Sequence, residues 1–263
     1  MHYESERIML LTIDIGNTNI TLGAFDGEGL MFVSRLNTDR FRTEDQYALE
    51  IRQIFHLYGV SSGDFEGAAI SSVVPSLSNA IKNAAGKLIG KTPLIVGPGV
   101  KNGLDIRIDN PKQLGADLVA GAVGAVAKYP LPCFVVDLGT ATKISVINGA
   151  GQYLGCTISA GIMISLEALS KQTSQLPSVS LEAPPHVIGT NTVDSMQSGT
   201  VLGTAAMIDG LCDRIEAEMG EKAASVVATG GLAEDIVKNC ARPVIYDGSL
   251  VLHGLYHIYN KNV

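Results

Sequence analysis

Apolar runs alternate with mixed amphipathic stretches along this chain. A run that stops at turn residues predicts a strand, and one with apolar positions three and four apart predicts a helix. Ile8 to Ile15 is a run ending in Asp-x-Gly. Ile20 to Phe25, a Gly turn at 27–29 and Leu30 to Leu36 complete a three-strand meander. Glu44 to Tyr58 carries Tyr47, Leu49, Ile51, Ile54, Phe55 and Tyr58 at helical spacing. Gly67 to Val74 predicts a strand, Ser76 the cap of a helix to about Ile89, and Leu94 to Val96 a short strand.

The pattern then restarts. Leu114 to Lys128 predicts a helix and Cys133 to Val136 a strand, again ending in Asp-x-Gly. Ala141 to Ile147, the turn 148–151 and Tyr153 to Ile158 repeat the meander. Gly161 to Lys171 and Asn191 to Met219 predict helices around a Pro- and Ser-rich loop. Val226 to Ala228, a short helix, Val244 to Tyr246 and a helix from Ser249 to Tyr259 close the pattern. Asp14 and Asp137 stand at equivalent places in the two halves. A duplication of this kind implies two similar α/β domains, residues 1–112 and 113–263, with a cleft between them.

Composition narrows the chemistry. With 46% hydrophobic and 17% charged residues, a chain of 263 residues can bury a core, which excludes global disorder. A net charge of −7 argues against a nucleic-acid coat, so an anionic substrate must meet a local cationic pocket. Trp is absent and aromatics are 5%, which leaves few stacking platforms for single strands. No apolar run reaches the ~18 residues of a membrane span, and the N-terminal stretch reads as a strand and not a signal peptide. Cys133, Cys156, Cys212 and Cys240 form no CxxC or His/Cys cluster, which suits reduced, mostly buried thiols in the cytoplasm. His56, His253 and His257 fall on predicted helices without ligand partners, so no zinc site is assigned.

Five segments carry candidate chemistry. In Asp14-Ile15-Gly16-Asn17-Thr18-Asn19, Gly16 admits a phosphate, the polar side chains offer donors, and Asp14 can hold a cation through water; an Asx-stabilised hairpin has the same look. Asp137-Leu138-Gly139-Thr140-Ala141-Thr142 repeats the acid, glycine and hydroxyl, and two such loops facing one cleft would grip a polyphosphate and its metal. There is no GxxxxGK[ST] and no GxGxxG after the first strand. Thr229-Gly230-Gly231 follows a strand and admits a flat ring or ribose, or is a tight packing turn. Asp117, after Gly115-Ala116, is either a general base toward a hydroxyl or a helix N-terminal acid. Thr192, after Gly189-Thr190-Asn191, either caps the long helix or contacts substrate.

These motifs, in this order, resemble the type III pantothenate kinases over nearly the whole chain, from Thr12 to about Asn260. The series is Asp14-x-Gly-Asn-Thr, Gly97-Pro-Gly-Val-Lys, Asp109-Asn-Pro, Gly115-Ala-Asp, Asp137-x-Gly-Thr-Ala-Thr, Leu154-Gly, Asn191-Thr, Met196-Gln-Ser-Gly and Ala228-Thr-Gly-Gly-Leu-Ala. The resemblance implies the acetate and sugar kinase/actin-like fold with duplicated ribonuclease H-like domains. It implies ATP-dependent phosphorylation of pantothenate to 4'-phosphopantothenate by a cytoplasmic homodimer using Mg²⁺ and a monovalent cation, K⁺ or NH₄⁺. By matching position, Asp14, Ile15, Gly16, Asn17, Thr18, Asn19, Ile20 and Thr21 form the first ATP phosphate loop. Thr140 contacts ATP, and Gly230 and Gly231 belong to the adenosine motif. Asp117 takes the hydroxyl proton, and Asp137 holds the monovalent cation. Gly115, Ala116, Asp117 and Leu118 line the pantothenate pocket, and Thr192 reaches the substrate from the other subunit.

Several positions depart from the commonest family pattern. Leu118 stands where Arg is usual, Ile108 for Tyr, Asn102 for Thr, Thr190 for a basic residue and Lys143 for Thr. Arg binds a carboxylate bidentately, so its loss at 118 leaves Lys101, Arg107 or Lys112 as replacements for the pantothenate carboxylate. Lys143 either adds positive charge near the phosphates or points to solvent. Two alternatives accompany the kinase reading: a kinase of the same fold for another small hydroxy compound, and a catalytically silent nucleotide-binding regulator.

Overall fold

Seven consecutive residues, Met9–Ile15, form β1, and all but Asp14 are buried. A strand apolar on both faces needs cover on both, and the chain supplies it from two directions. The computed structural model describes residues 8–172, 177 and 179–263. The Ser- and Leu-containing stretch 173–176 and residue 178, part of the predicted loop, lie outside them.

β2 (Asn19–Asp26) and β3 (Gly29–Asn37) extend β1 as an antiparallel meander. The chain then forms α1 (Glu44–Leu57), β4 (Phe65–Ser72), α2 (Pro75–Ile89) and β5 (Leu94–Ile95). β4 runs parallel to β1 and β5 parallel to β4, giving the order β3-β2-β1-β4-β5. Thr43 caps α1 in a reciprocal box with Gln46, as a Thr-x-x-Gln sequence favours. α2 starts one residue before the expectation: Pro75 takes the first helical position and Ser76 is not its cap. Tyr47, Ile51 and Phe55 of α1 and Leu77 and Ile81 of α2 join Leu11, Ile13 and Ile15 in one core.

The second half repeats this plan. β7 (Cys133–Leu138), β8 (Ala141–Ile147) and β9 (Gln152–Ala160) form the meander. β10 (Ser225–Thr229) and β11 (Ile245–Tyr246) follow in parallel. The order β11-β10-β7-β8-β9 mirrors that of the first sheet, which supports the duplication read from the pattern. β6 (Asp105–Ile106), which hydrophobic periodicity does not announce, pairs with β9 at the sheet's edge.

Helix α3 (Ala116–Lys128) precedes this meander, and α4 (Ile162–Gln172) follows it. The helix expected over 191–219 is α5 (Thr192–Gln197), a wide π-type turn over Ser198–Leu202, and α6 (Gly203–Met219). After β10 come α7 (Ala233–Val237) and finally α8 (Leu250–Asn260). Phe134, Val136, Ile144, Ile208 and Ile236 anchor the second core.

Contacts divide the chain into two units, but not at 112/113. Residues 110–127 and 249–263 group with the first sheet, and 105–109 with the second. The reason is α8, which returns to pack on β1, β2 and β4. Glycine admits it: a Cβ on Gly67 of β4 would lie 2.0 Å from the Tyr259 hydroxyl. Cys133 and Cys212 are buried, whereas Cys156 is exposed because alternate residues of β9 face outward. Burial pushes the Cys212 thiol up to about 12, which keeps it unreactive.

Candidate active site

In the first unit, Asp14 lies one residue before the end of β1, in register with Thr21 of β2 and Ser71 of β4. Ser71 Oγ donates to Asp14 Oδ1 at 2.5 Å, which orients the carboxylate. The turn beyond is pinned through its backbone. Gly16 N donates to Asn19 O at 3.0 Å, and Thr38 donates from Oγ1 to Gly16 O at 2.7 Å and from N to Thr18 O at 3.0 Å. Backbone anchoring leaves Asn17, Thr18 and Asn19 exposed. Ile15 and Ile20 are fully buried, so their side chains serve the core and only their backbone is part of this loop. Thr38 and Arg40, whose guanidinium donates to Asn17 Oδ1 at 3.1 Å, escaped the sequence reading because only long-range pairing brings them here.

The same unit holds Gly115, Ala116, Asp117 and Leu118 at the start of α3. A short helical turn, Pro111–Gln113, leads in. The half-buried Asp117 turns back on its own helix, where its Oδ1 accepts from Leu118 N at 2.8 Å. This contact holds the carboxylate against the first turn of α3. Behind this turn α3 meets α8 backbone to backbone. A Cβ on Gly254 would stand 1.7 Å from Ala120 O, and one on Gly124 would stand 2.4 Å from Leu250 O. The loop 97–103 is fastened from the chain's far end: Asn262 accepts from Lys101 N at 3.1 Å and donates to Lys101 O at 2.8 Å. Of the cations considered for a substrate carboxylate, Lys101 and Lys112 are exposed. Arg107 belongs to the other unit and is paired with Asp105 at 2.7 Å.

In the second unit, Asp137 near the end of β7 faces Lys143 across the β7–β8 pair, and Lys143 Nζ lies 2.9 Å from Asp137 Oδ2. The exposed Thr140 sits at the tip, closed by Gly139 N to Ala141 O at 3.2 Å and Gly161 N to Thr140 O at 3.2 Å. β10 aligns Thr229 with Asp137, so Gly230 and Gly231 emerge beside this loop. Gly230 has φ +102°, and a Cβ there would lie 2.5 Å from Leu138 O. The contact joins the two glycine turns that the sequence treats as separate motifs. Gly230→Ala is therefore expected to destabilise the fold by about 1–3 kcal/mol, since the strain falls on the turn itself. Scanning calorimetry checks this, and an unchanged melting temperature would mean that the turn accepts a Cβ.

A cavity of about 930 Å³ in this unit is lined by Thr142, Ser159, Thr192, Met196, Thr200 and Met207 among others. Asn191, not Thr192, caps α5: its Oδ1 accepts from Asp194 N at 2.9 Å. Thr192 is thereby left as an exposed first helical residue that lines the cavity. Among the described residues, no three His, Cys, Asp or Glu side chains cluster as a metal site, and no helix is long and apolar enough to cross a membrane.

The sequence profile of the type III pantothenate kinases matches residues 10–214. The type III pantothenate kinase of Halalkalibacterium halodurans is 45% identical over 255 residues, covering 97% of this chain and all of the relative. That of Moorella thermoacetica is 44% identical over 256 residues, again 97% of this chain and all of the relative. Among solved structures, a Baf-family transcriptional activator from Campylobacter jejuni superposes with a TM-score of 0.58 at 22% identity, covering 96% of this chain and 98% of that one. Component A of the (R)-2-hydroxyglutaryl-CoA dehydratase of Acidaminococcus fermentans also gives 0.58, at 15% identity, covering 97% and 100%. These likenesses establish the acetate and sugar kinase/actin-like fold.

Proposed function

The chain belongs to the type III pantothenate kinase family, and from that premise we propose how its own residues carry the reaction. The reaction is phosphorylation of pantothenate by ATP, which opens coenzyme A biosynthesis. Phosphoryl transfer asks a protein for placement and charge neutralisation more than for covalent chemistry. Asp117 is the general base. The observation that carries this is its setting: a half-buried carboxylate, anchored through one oxygen by Leu118 N, on a helix that α8 holds rigid. From there it accepts the proton of the pantothenate hydroxyl and aligns that oxygen with the γ-phosphorus.

The loop Asp14 to Thr21 binds the phosphates, through the Gly16 backbone and the exposed Asn17, Thr18 and Asn19. Asp14 fits Mg²⁺ held through water, since Mg²⁺ ordinarily takes one or two carboxylates together with substrate phosphates. When bound, the ion neutralises phosphate charge. Thr140, Gly230 and Gly231 hold the rest of ATP. Gly115, Ala116 and Leu118 line the pantothenate pocket. Lys101 and Lys112 remain to meet its carboxylate, because Arg107 is already paired with Asp105. Thr192 contacts substrate from the partner of a homodimer. Exposed Met163, Ile164, Leu169 and Val193 on α4 and α5 support such a partner, because burial of such side chains is what an interface supplies. The enzyme works in the cytoplasm in this reading.

The monovalent cation is different. Lys143 Nζ already rests against Asp137 Oδ2, so the residues present do not fit K⁺ or NH₄⁺ on that carboxylate. A second unit charge there would meet the ammonium at about 4 Å, a repulsion of about 4 kcal/mol at an effective dielectric of 20.

The test is ADP release by the purified protein with ATP, Mg²⁺ and pantothenate. Turnover that appears only with pantothenate is expected. ADP release indifferent to pantothenate would overturn this reading.

A further inference from the structure

We propose that Lys143 is a tethered replacement for the monovalent cation, so that this enzyme phosphorylates pantothenate without K⁺ or NH₄⁺. The inference rests on the kinase reading above. Its observation is the cross-strand pair Asp137–Lys143, with Nζ 2.9 Å from Oδ2. Directly opposed residues of an antiparallel pair project to the same face, so the register alone delivers the ammonium to this carboxylate. The Lys143 side chain is only 16% exposed and that of Asp137 25%, which sets this pair apart from a flexible surface contact. The ammonium group of lysine has the charge and the N–H donors of NH₄⁺, but it is covalently attached and needs no binding from solution. Asp137 lies two residues from Gly139 and three from Thr140, at the base of the loop assigned to ATP. Lys143 thus acts as a positioning residue: it neutralises Asp137 and fixes the loop that follows.

Two registers lock the arrangement. β8 presents Lys143 on one side of Asp137, and β10 aligns Thr229 with it on the other. Loop and ammonium therefore share one rigid sheet, and the positive charge is present whether or not nucleotide is bound.

The experiment compares wild type with Lys143→Thr in chloride salts of tetramethylammonium, Na⁺, K⁺ and NH₄⁺ at constant ionic strength. Two quantities are read: pantothenate-dependent ADP release, and calorimetric affinity for a non-hydrolysable ATP analogue. Wild type is expected to vary less than twofold across the four salts in both. Lys143→Thr is expected to lose at least tenfold in tetramethylammonium and to recover with saturable K⁺ or NH₄⁺. Wild-type stimulation of tenfold or more by K⁺ would overturn the proposal, and that arm needs no variant to fold. A folded Lys143→Thr that is fully active without K⁺, or that K⁺ cannot rescue, would overturn it too. Absence of pantothenate-dependent turnover in every salt would instead strike the kinase reading; the affinity arm then still decides whether nucleotide binding depends on the ion.

Discussion

Replacing Asp117 by Asn lowers pantothenate-dependent turnover by about 10²–10⁴-fold, the span that a positioned general base contributes. Asn is nearly isosteric, and its carbonyl oxygen can keep the contact with Leu118 N. What it cannot do is accept the hydroxyl proton. The loss should therefore appear in kcat, with ATP affinity and thermal stability close to wild type. Steady-state kinetics together with calorimetry separate these quantities. Turnover within a few-fold of wild type would return Asp117 to the alternative role, an acid placed to suit the N-terminus of its helix.

Gly254→Ala has the largest expected effect on stability. The added Cβ would sit 1.7 Å from Ala120 O, against backbone that cannot rotate away. The helices must separate, at a cost of about 3 kcal/mol, the upper part of the ordinary overpacking range. For a chain of this size that lowers Tm by roughly 6–12 °C. Activity should fall as well, since Asp117 rides on the helix that is displaced. Gly121→Ala is the control. It lies on α3, the helix that faces Gly254, but its Cβ would meet only Val251 Cγ2, at 4.0 Å, and it should change stability by less than about 1 kcal/mol. Scanning calorimetry on both variants tests the contact, and equal stability of the two would mean that the backbones do not meet there.

Both meanders were legible in the sequence because apolar runs and turn residues are local signals, and the repeat of Asp-x-Gly fixed their correspondence. Boundaries that depend on side-chain direction were less so. Two expected caps fell inside the helix, Ser76 two residues past the real cap Val74 and Thr192 one residue past Asn191, because capping is decided by backbone angles that composition does not encode. β6 has two residues and no periodicity, so only its partner β9 defines it. Lys143 was visible as an unusual residue, but its direction needs the β7–β8 register, which depends on how many residues the loop consumes. Within the candidate loop 14–21, Ile15 and Ile20 travelled with the motif although their side chains are core. Thr38 and Asn262, which hold two of the candidate loops in place, carried no local signal at all. The boundary at 112/113 missed α8 for the same reason: a helix at residues 250–260 completes a sheet begun at residue 9.

That return of α8 also orders events during synthesis. The ribosome releases β1 to β5 first, yet the helix that packs on β1, β2 and β4 comes after every other element. The second sheet, from β6 to β11, emerges in full before α8 exists. The half translated first is therefore finished last: α1 and α2 cover one face of its sheet early, and at roughly 5–20 residues per second the other face waits many seconds for its helix.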